Sequence, residues 1–223
     1  MLMSITPKQP MSENLNPDKA LIFRIVHRSN IPWILDNGMY CRNAEVQAPD
    51  YQSIGNNELI EKRQHRKVAI SPFGTLSDYI PFYFTPYSPM MYNIKTGFSG
   101  VQQVDNEEIV IVVSSLPRLQ EKGIDFVFTD RHAYLFNTTF YNTLDKLDQI
   151  DWPILQQRDF HRDADNPEKI ERYQAEALVY QHLPVEAVIG LVCYTDDIKE
   201  QLQQWADERQ QSLKIVKETR WYF

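Results

Sequence analysis

Glu176 stands at the head of an apolar run, Glu176-Ala177-Leu178-Val179-Tyr180, in the segment that begins at Arg172. A charge opening a strand-like run is either at the mouth of a cleft or paired, because burying a lone carboxylate is too costly. Catalytic acids are often mounted in this way. A second chemical feature is Lys62-Arg63-Gln64-His65-Arg66-Lys67, a set of cations on a short helix and its exit. A solvated helix face explains such a run, and so does a phosphate clamp, since guanidinium groups can hold phosphate oxygens bidentately. Net charge is −7, which makes the cluster more notable and argues against coating nucleic acid by bulk electrostatics.

Three weaker features accompany these two. Arg24 and His27 interrupt the apolar run Ala20 to His27 and point to opposite faces of a regular strand. An edge-strand arginine paired with an acid accounts for Arg24 as well as a ligand contact does. The stretch Tyr79 to Tyr92 holds Phe82, Tyr83, Phe84 and Tyr87, which are core by default but can also wall a pocket for a nicotinamide ring or a splayed base. Thr129-Asp130-Arg131-His132 follows a strand directly and reads equally as a capped turn or as part of a site.

Other chemistries lack their residues. With seven glycines the chain has neither GxGxxG nor a Walker loop, and no HExxH, paired-cysteine metal site or nucleophilic triad can be assembled. Cys41 and Cys193 read as small core residues. The remaining set, a glutamate at a strand mouth with arginines and an aromatic wall, suits a dinucleotide cleaved at a glycosidic bond. A carboxylate there can stabilise an oxocarbenium-like transition state while arginines hold the diphosphate.

The elements that would carry these residues alternate without a repeat or a linker. At 223 residues the chain can bury a sizeable core, and no apolar run approaches the ~20 residues that span a bilayer. Residues 1–19 contain Pro7, Pro10 and Pro17, lack a signal-peptide core, and read as a disordered lead-in to a cytoplasmic protein. Strands are expected at 20–27, 79–84, 109–113, 126–128, 177–180 and 188–194, with Pro81 marking an edge or a bulge. Ser29 is the expected cap of a helix holding Pro32 and ending at Gly38, residues 58–66 form a polar helix, and Ser88-Pro89 starts another. A long stretch from His132 to Tyr173 is expected to be functional or disordered. An amphipathic helix at about 196–211 and a short strand complete a mixed α+β domain, not a doubly wound parallel sheet.

Beyond these patterns, the chain resembles the DarT family, the toxins of DarT–DarG toxin–antitoxin pairs. The resemblance rests on Arg24-Ile25-Val26-His27-Arg28-Ser29-Asn30, Ile34 to Gly38, Asp78 to Phe84 with Ser88-Pro89-Met90, Phe126 to His132, Asp148 to Leu155, Arg172 to Tyr180 and Trp221-Tyr222-Phe223. It implies a single domain over 20–223 with an ADP-ribosyltransferase-like fold, a split, mixed β core with surrounding helices and NAD between its halves. It further implies Glu176 as catalytic glutamate and Arg63 as essential active-site arginine. By the same match Arg24, Ile25, Val26, His27, Asn30, Arg63 and Tyr83 face NAD, while Tyr83, Met90 and His132 face DNA. Relatives often carry histidine where this chain has Arg24. About residues 46–65 match an NAD-binding loop, and about 132–176 the loop that presents the target base. The implied reaction transfers ADP-ribose from NAD, a co-substrate used without a metal, to thymidine N3 in single-stranded DNA. A cytoplasmic monomer countered by a DarG-type macrodomain antitoxin is expected. Transfer to guanosine, RNA or protein, or an inactive binding module, are the alternatives, and intact Glu176 and Arg63 speak against the last.

Overall fold

Residues 13–223 are described in the computed structural model of this protein. β1 (Leu21–His27), α1 (Ile31–Asn37), β2 (Met39–Tyr40), α2 (Asn57–Lys62), β3 (Tyr79–Tyr83), α3 (Pro89–Thr96), β4 (Ile109–Ser115) and α4 (Leu116–Glu121) form the first half. β5 (Phe126–Thr129), β6 (Phe140–Tyr141), α5 (Trp152–Gln157), α6 (Lys169–Tyr173), β7 (Glu176–Tyr180), β8 (His182–Leu183), β9 (Gly190–Cys193), α7 (Asp196–Glu208) and β10 (Lys214–Lys217) follow. Eight strands make one sheet in the order β10-β9-β4-β1-β3-β7-β5-β6, while β2 and β8 pair separately. Within it only β9 and β10 run parallel, which fits the mixed α+β expectation.

The sheet is divided at one place. β1 is laddered to β4 along its whole length, from Leu21↔Ser115 to His27↔Ile109, but meets β3 only at Phe23↔Tyr83. β3 in turn pairs with β7 from Tyr79↔Tyr180 to Tyr83↔Glu176. Beyond Phe23 the two halves diverge and leave backbone edges free of ladder bonds. β4 is buried on both faces because its Ile109 to Val113 run has no polar residue to show to water, and the helices cover it.

That division corrects the edge-or-bulge reading of Pro81. β3 is an interior strand, flanked by β1 and β7. The Pro81 carbonyl accepts from Arg24 Nη1 at 2.8 Å instead of from a β1 amide. Since the N and C=O of one residue point to the same neighbour in an antiparallel pair, the missing N–H faces the split, where no ladder bond is lost.

Helix starts differ in one case. Ser29 lies inside a 3-10 turn (Arg28–Asn30), and Asn30 occupies the cap position of α1 without a side-chain cap bond. Its amide is spent elsewhere: Nδ2 donates to Gln52 O at 2.8 Å and Oδ1 accepts from Gln52 N at 2.9 Å. Gly38 does end α1, at φ 77°, and Ser88 caps α3 by accepting from Met91 N.

Residues 1–12 of the expected lead-in lie outside the described residues. The lead-in reading does not hold for residues 13–19, which form turns with Leu15 only 2% exposed in the core, its carbonyl accepting from Gln156 Nε2 at 2.8 Å. The 132–173 stretch is ordered. Asp151 caps α5 by accepting from Ile154 N, Trp152 Nε1 donates to Leu147 O at 2.8 Å, and its ring meets Phe84 edge-on. Arg172 Nε donates to Asp151 at 3.0 Å and ties α6 to that cap. Among the described residues no helix is long and apolar enough to cross a membrane.

Candidate active site

Glu176 begins β7 opposite Tyr83 and is 3% exposed. Two segments converge on its carboxylate. Oε2 accepts from Arg63 Nη1 at 2.9 Å, while Oε1 accepts from the Ala133 N–H at 2.9 Å and lies 3.2 Å from His132 Nδ1. The Glu176 N–H donates to Thr129 Oγ1 at 3.1 Å, and that hydroxyl donates to Arg131 O at 2.6 Å. The Thr129-to-His132 turn is thus both a folded turn and a part of the site. It carries His132 and the Ala133 amide that orients the carboxylate.

Arg63 reaches inward because of a local change in helix type. Asn56 caps α2, accepting from Leu59 N at 3.0 Å, and after six residues the helix tightens into a 3-10 turn at Arg63–His65. Lys62 stays outside, ion-paired to Glu58, and Lys67 is exposed. Arg66 Nη2 donates to Leu135 O at 2.8 Å. Of this cluster only Arg63 contacts Glu176, so the solvated-face reading holds for its neighbours and fails for Arg63. Arg63 Nη2 is buried without a hydrogen-bond acceptor among the described residues, an open donor toward a ligand oxygen.

Burial alone would raise the Glu176 carboxyl, but Arg63, then His132 and the Ala133 N–H, outweigh it and hold the group below the ordinary carboxylate range. Desolvation lowers His132, and Arg63 adds to that against the pull of Glu176, which favours neutral imidazole. Burial and then Glu176 push the Tyr83 hydroxyl up, so it remains a protonated donor. Cys41 and Cys193 are buried, with thiols raised by desolvation, that of Cys193 to about 11. Among the described residues no group of three His, Cys, Asp or Glu side chains could hold a metal.

Glu176, Arg63, His132, Arg24, Ile25, Tyr83 and Met90 line one cleft of about 140 Å³ at the split of the sheet. Arg24 bridges the split to a carbonyl, not to an acid on an edge strand. Residues from the loop before α2 close the cleft, including Tyr51, Ser53 and Asn56. Tyr51, Ser53, Arg24 and Arg63 also border a second cavity of about 300 Å³ that extends to Trp33, Tyr40 and Arg42. Three of the sequence-assigned residues do not line either cavity. Val26 is core at 1% exposure, and His27 bonds Ser29 Oγ at 2.8 Å with Nε2 turned to Glu108. Asn30 acts at one remove, through its two bonds to the Gln52 backbone beside Tyr51 and Ser53. Within the expected NAD-binding loop and the 132–176 stretch, sequence reading singled out none of Tyr51, Ser53, Asn56 and the Ala133 amide, because a loop side chain or a backbone N–H carries no local mark.

A split antiparallel core with an arginine-locked glutamate heading an inner strand has the architecture of an ADP-ribosyltransferase. The chain belongs to the DarT family, whose model, described as ssDNA thymidine ADP-ribosyltransferase, matches residues 23–223. A curated DNA ADP-ribosyl transferase of Escherichia coli O127:H6 is 54% identical over 212 residues, 95% of this chain and 97% of the relative. Thermus sp. 2.9 DarT in complex with ADP-ribosylated ssDNA superposes at TM-score 0.84 with 31% identity, covering 97% of this chain and 100% of that one. The same Thermus protein in complex with NAD+ gives TM-score 0.78 at 31% identity over 93% of this chain and 99% of that one.

The geometry sets an order among the arginines. Arg63→Lys keeps a charge but loses the planar fork, and turnover is expected to fall by about a hundredfold, whereas Lys67→Ala should stay within about twofold. Side-by-side assays check this, and equal small losses would return the whole cluster to the solvated face.

Proposed function

We propose that this chain is a toxin that transfers ADP-ribose from NAD to N3 of thymidine in single-stranded DNA and releases nicotinamide. The observation that carries the reading is the Glu176 carboxylate, buried at the split of the sheet and fixed by Arg63, His132 and the Ala133 N–H. Its kinship to DNA ADP-ribosyl transferases and to a DarT bound to NAD+ and to ADP-ribosylated ssDNA supports the same reading.

In this scheme the bond between ribose C1′ and the nicotinamide nitrogen breaks, and nicotinamide leaves with the bonding pair. N3 of the base then bonds to C1′ and gives up its proton. The ionised Glu176 stabilises the positive charge that develops on the ribose, and Arg63 holds that carboxylate while its free Nη2 takes a ligand oxygen. Arg63 is a permanent cation, so of the two it is Glu176 that can receive the N3 proton. The Arg24 side chain and the β3-facing edge of β1 over Arg24, Ile25 and Val26, which is free of ladder bonds to β3, take the nicotinamide end, with Tyr83 beside them. His27 and Asn30 serve NAD indirectly, by fixing the exit of β1 and the loop above the cleft. Met90, His132 and Tyr83 face the incoming base. No membrane or metal enters the scheme, and we place the protein in the cytoplasm as a monomer countered by a DarG-type macrodomain antitoxin.

Mass spectrometry of thymidine-containing oligonucleotides after incubation with NAD tests the proposal. An adduct of one ADP-ribose on thymidine is expected. Label from NAD appearing on RNA, protein or guanosine instead would replace the target while keeping the enzyme class, and no label anywhere would leave an inactive binding module.

A further inference from the structure

The two segments that deliver Arg63 and His132 to the cleft also build a second concavity outside it. Lys62, His65 and Arg66 from one, with Tyr134, Leu135 and Phe136 from the other, enclose about 350 Å³. Phe136 is 96% exposed, the most exposed large hydrophobic side chain among the described residues, and Tyr134 beside it is 37% exposed. An aromatic ring left in water four residues from an active-site histidine does nothing for the core.

Its mounting is firm. Arg66 Nη2 holds the Leu135 carbonyl at 2.8 Å and its guanidinium lies 5.9 Å over the Phe140 ring, so the loop bearing Phe136 is pinned from below. Leu135 N donates to His132 O at 3.1 Å, and Thr138 Oγ1 donates to the same carbonyl at 2.7 Å, which ties both sides of the loop to the histidine. Charge points to the occupant. In a chain of net charge −7, this concavity combines Lys62, His65 and Arg66 with exposed rings, and Glu58 faces it only through its ion pair with Lys62. Cations interleaved with aromatic faces are what single-stranded nucleic acid requires, phosphates on the first and bases stacked on the second. Four residues of chain span at most roughly 14 Å, so Phe136 lies within reach of the nucleotides next to a base held at His132.

We propose that Phe136 and Tyr134, rimmed by Lys62 and His65, form a stacking platform for a nucleotide flanking the modified base. This rests on the DNA-modifying reading above and adds to it a second binding site for the same strand. The platform lowers KM for DNA and contributes to the choice of sequence context.

Kinetics with a synthetic oligonucleotide carrying one thymidine test this. Phe136→Ala is expected to raise KM for the oligonucleotide about tenfold, with KM for NAD unchanged, and Phe136→Trp should restore it because any aromatic face stacks. Scanning an abasic site through the flanking positions should find one that raises KM for the natural protein and causes no further rise in Phe136→Ala, the signature of a direct contact. An unchanged KM, or a raised KM coupled to no abasic position, overturns the platform while DNA modification itself stands. A natural protein that modifies no oligonucleotide overturns the underlying reading and the platform together.

Discussion

Glu176→Gln is expected to lower DNA modification by about two to three powers of ten while leaving the protein folded. The amide keeps the shape of the carboxylate and its one oxygen can still accept from Arg63, at the cost of the Ala133 bond to the other position, but the charge that balances the reacting ribose is gone. Glu176→Ala is a different experiment. It leaves the Arg63 guanidinium buried with neither a counter-ion nor an acceptor and opens a void beside it, and breaking such a pair outright typically costs about 3–5 kcal/mol, a large share of a domain's total stability. The alanine variant should therefore lose both activity and melting temperature, and only the glutamine variant separates the two. The pH dependence has a definite sign. Because the Glu176 carboxyl is held below its ordinary range in the folded state, its contribution is fully present above that range and is lost as pH falls through the lowered value. Oligonucleotide mass spectrometry and thermal melting of both variants check these outcomes. A Gln variant that keeps more than a few per cent of activity would make Glu176 structural.

Why Glu176 was legible and Arg63 was not, short of a family resemblance, comes down to local and non-local determinants. A carboxylate heading an apolar run is a local anomaly, and the reading of it as paired or at a cleft mouth needed nothing beyond its neighbours. Arg63 sits among cations of similar type, and what selects it is the step from α-helix to 3-10 turn, which changes the angle between successive side chains. Pro81 misled for a related reason. The rule that confines proline to edges assumes that every interior strand is laddered on both sides, and β3 is not, because its contact with β1 is a single pair. That pairing depends on residues far apart in the chain and leaves no periodic trace. Asn30 likewise fits the local grammar of a cap, yet its amide is committed to Gln52 across the cleft loop. The 132–173 stretch looked loose because its order comes from ties such as Arg172 to Asp151 and Arg66 to Leu135, which composition does not report. Strands β1, β4, β5 and β7 were readable throughout, since apolar runs of that length bounded by turn residues have few other uses.

N3-methylthymidine in place of thymidine is expected to abolish the product entirely, and annealing a complementary strand to unmodified DNA should suppress it strongly. Both follow from the chemistry of the acceptor. N3 carries a proton and is a weak nucleophile near neutrality, so the new bond forms only as that proton leaves toward Glu176. A methyl group removes the proton and caps the nitrogen at once. In a duplex the same N3 is occupied by pairing and shielded by stacking, and extruding the base costs a few kcal/mol, which the narrow cleft between β1 and β3 would have to supply. Salt gives an independent check. Binding should weaken only gently as salt rises, because few cations near the cleft face solvent and each phosphate contact contributes about 0.7 to the slope for a single strand. Quantifying product by mass spectrometry for single-stranded, annealed and N3-methylated versions of one oligonucleotide decides the matter. Equal reaction of single strand and duplex, or modification of the methylated base, would move the attachment point to guanine or to a terminal phosphate, and the role of Glu176 as proton acceptor would fall with it.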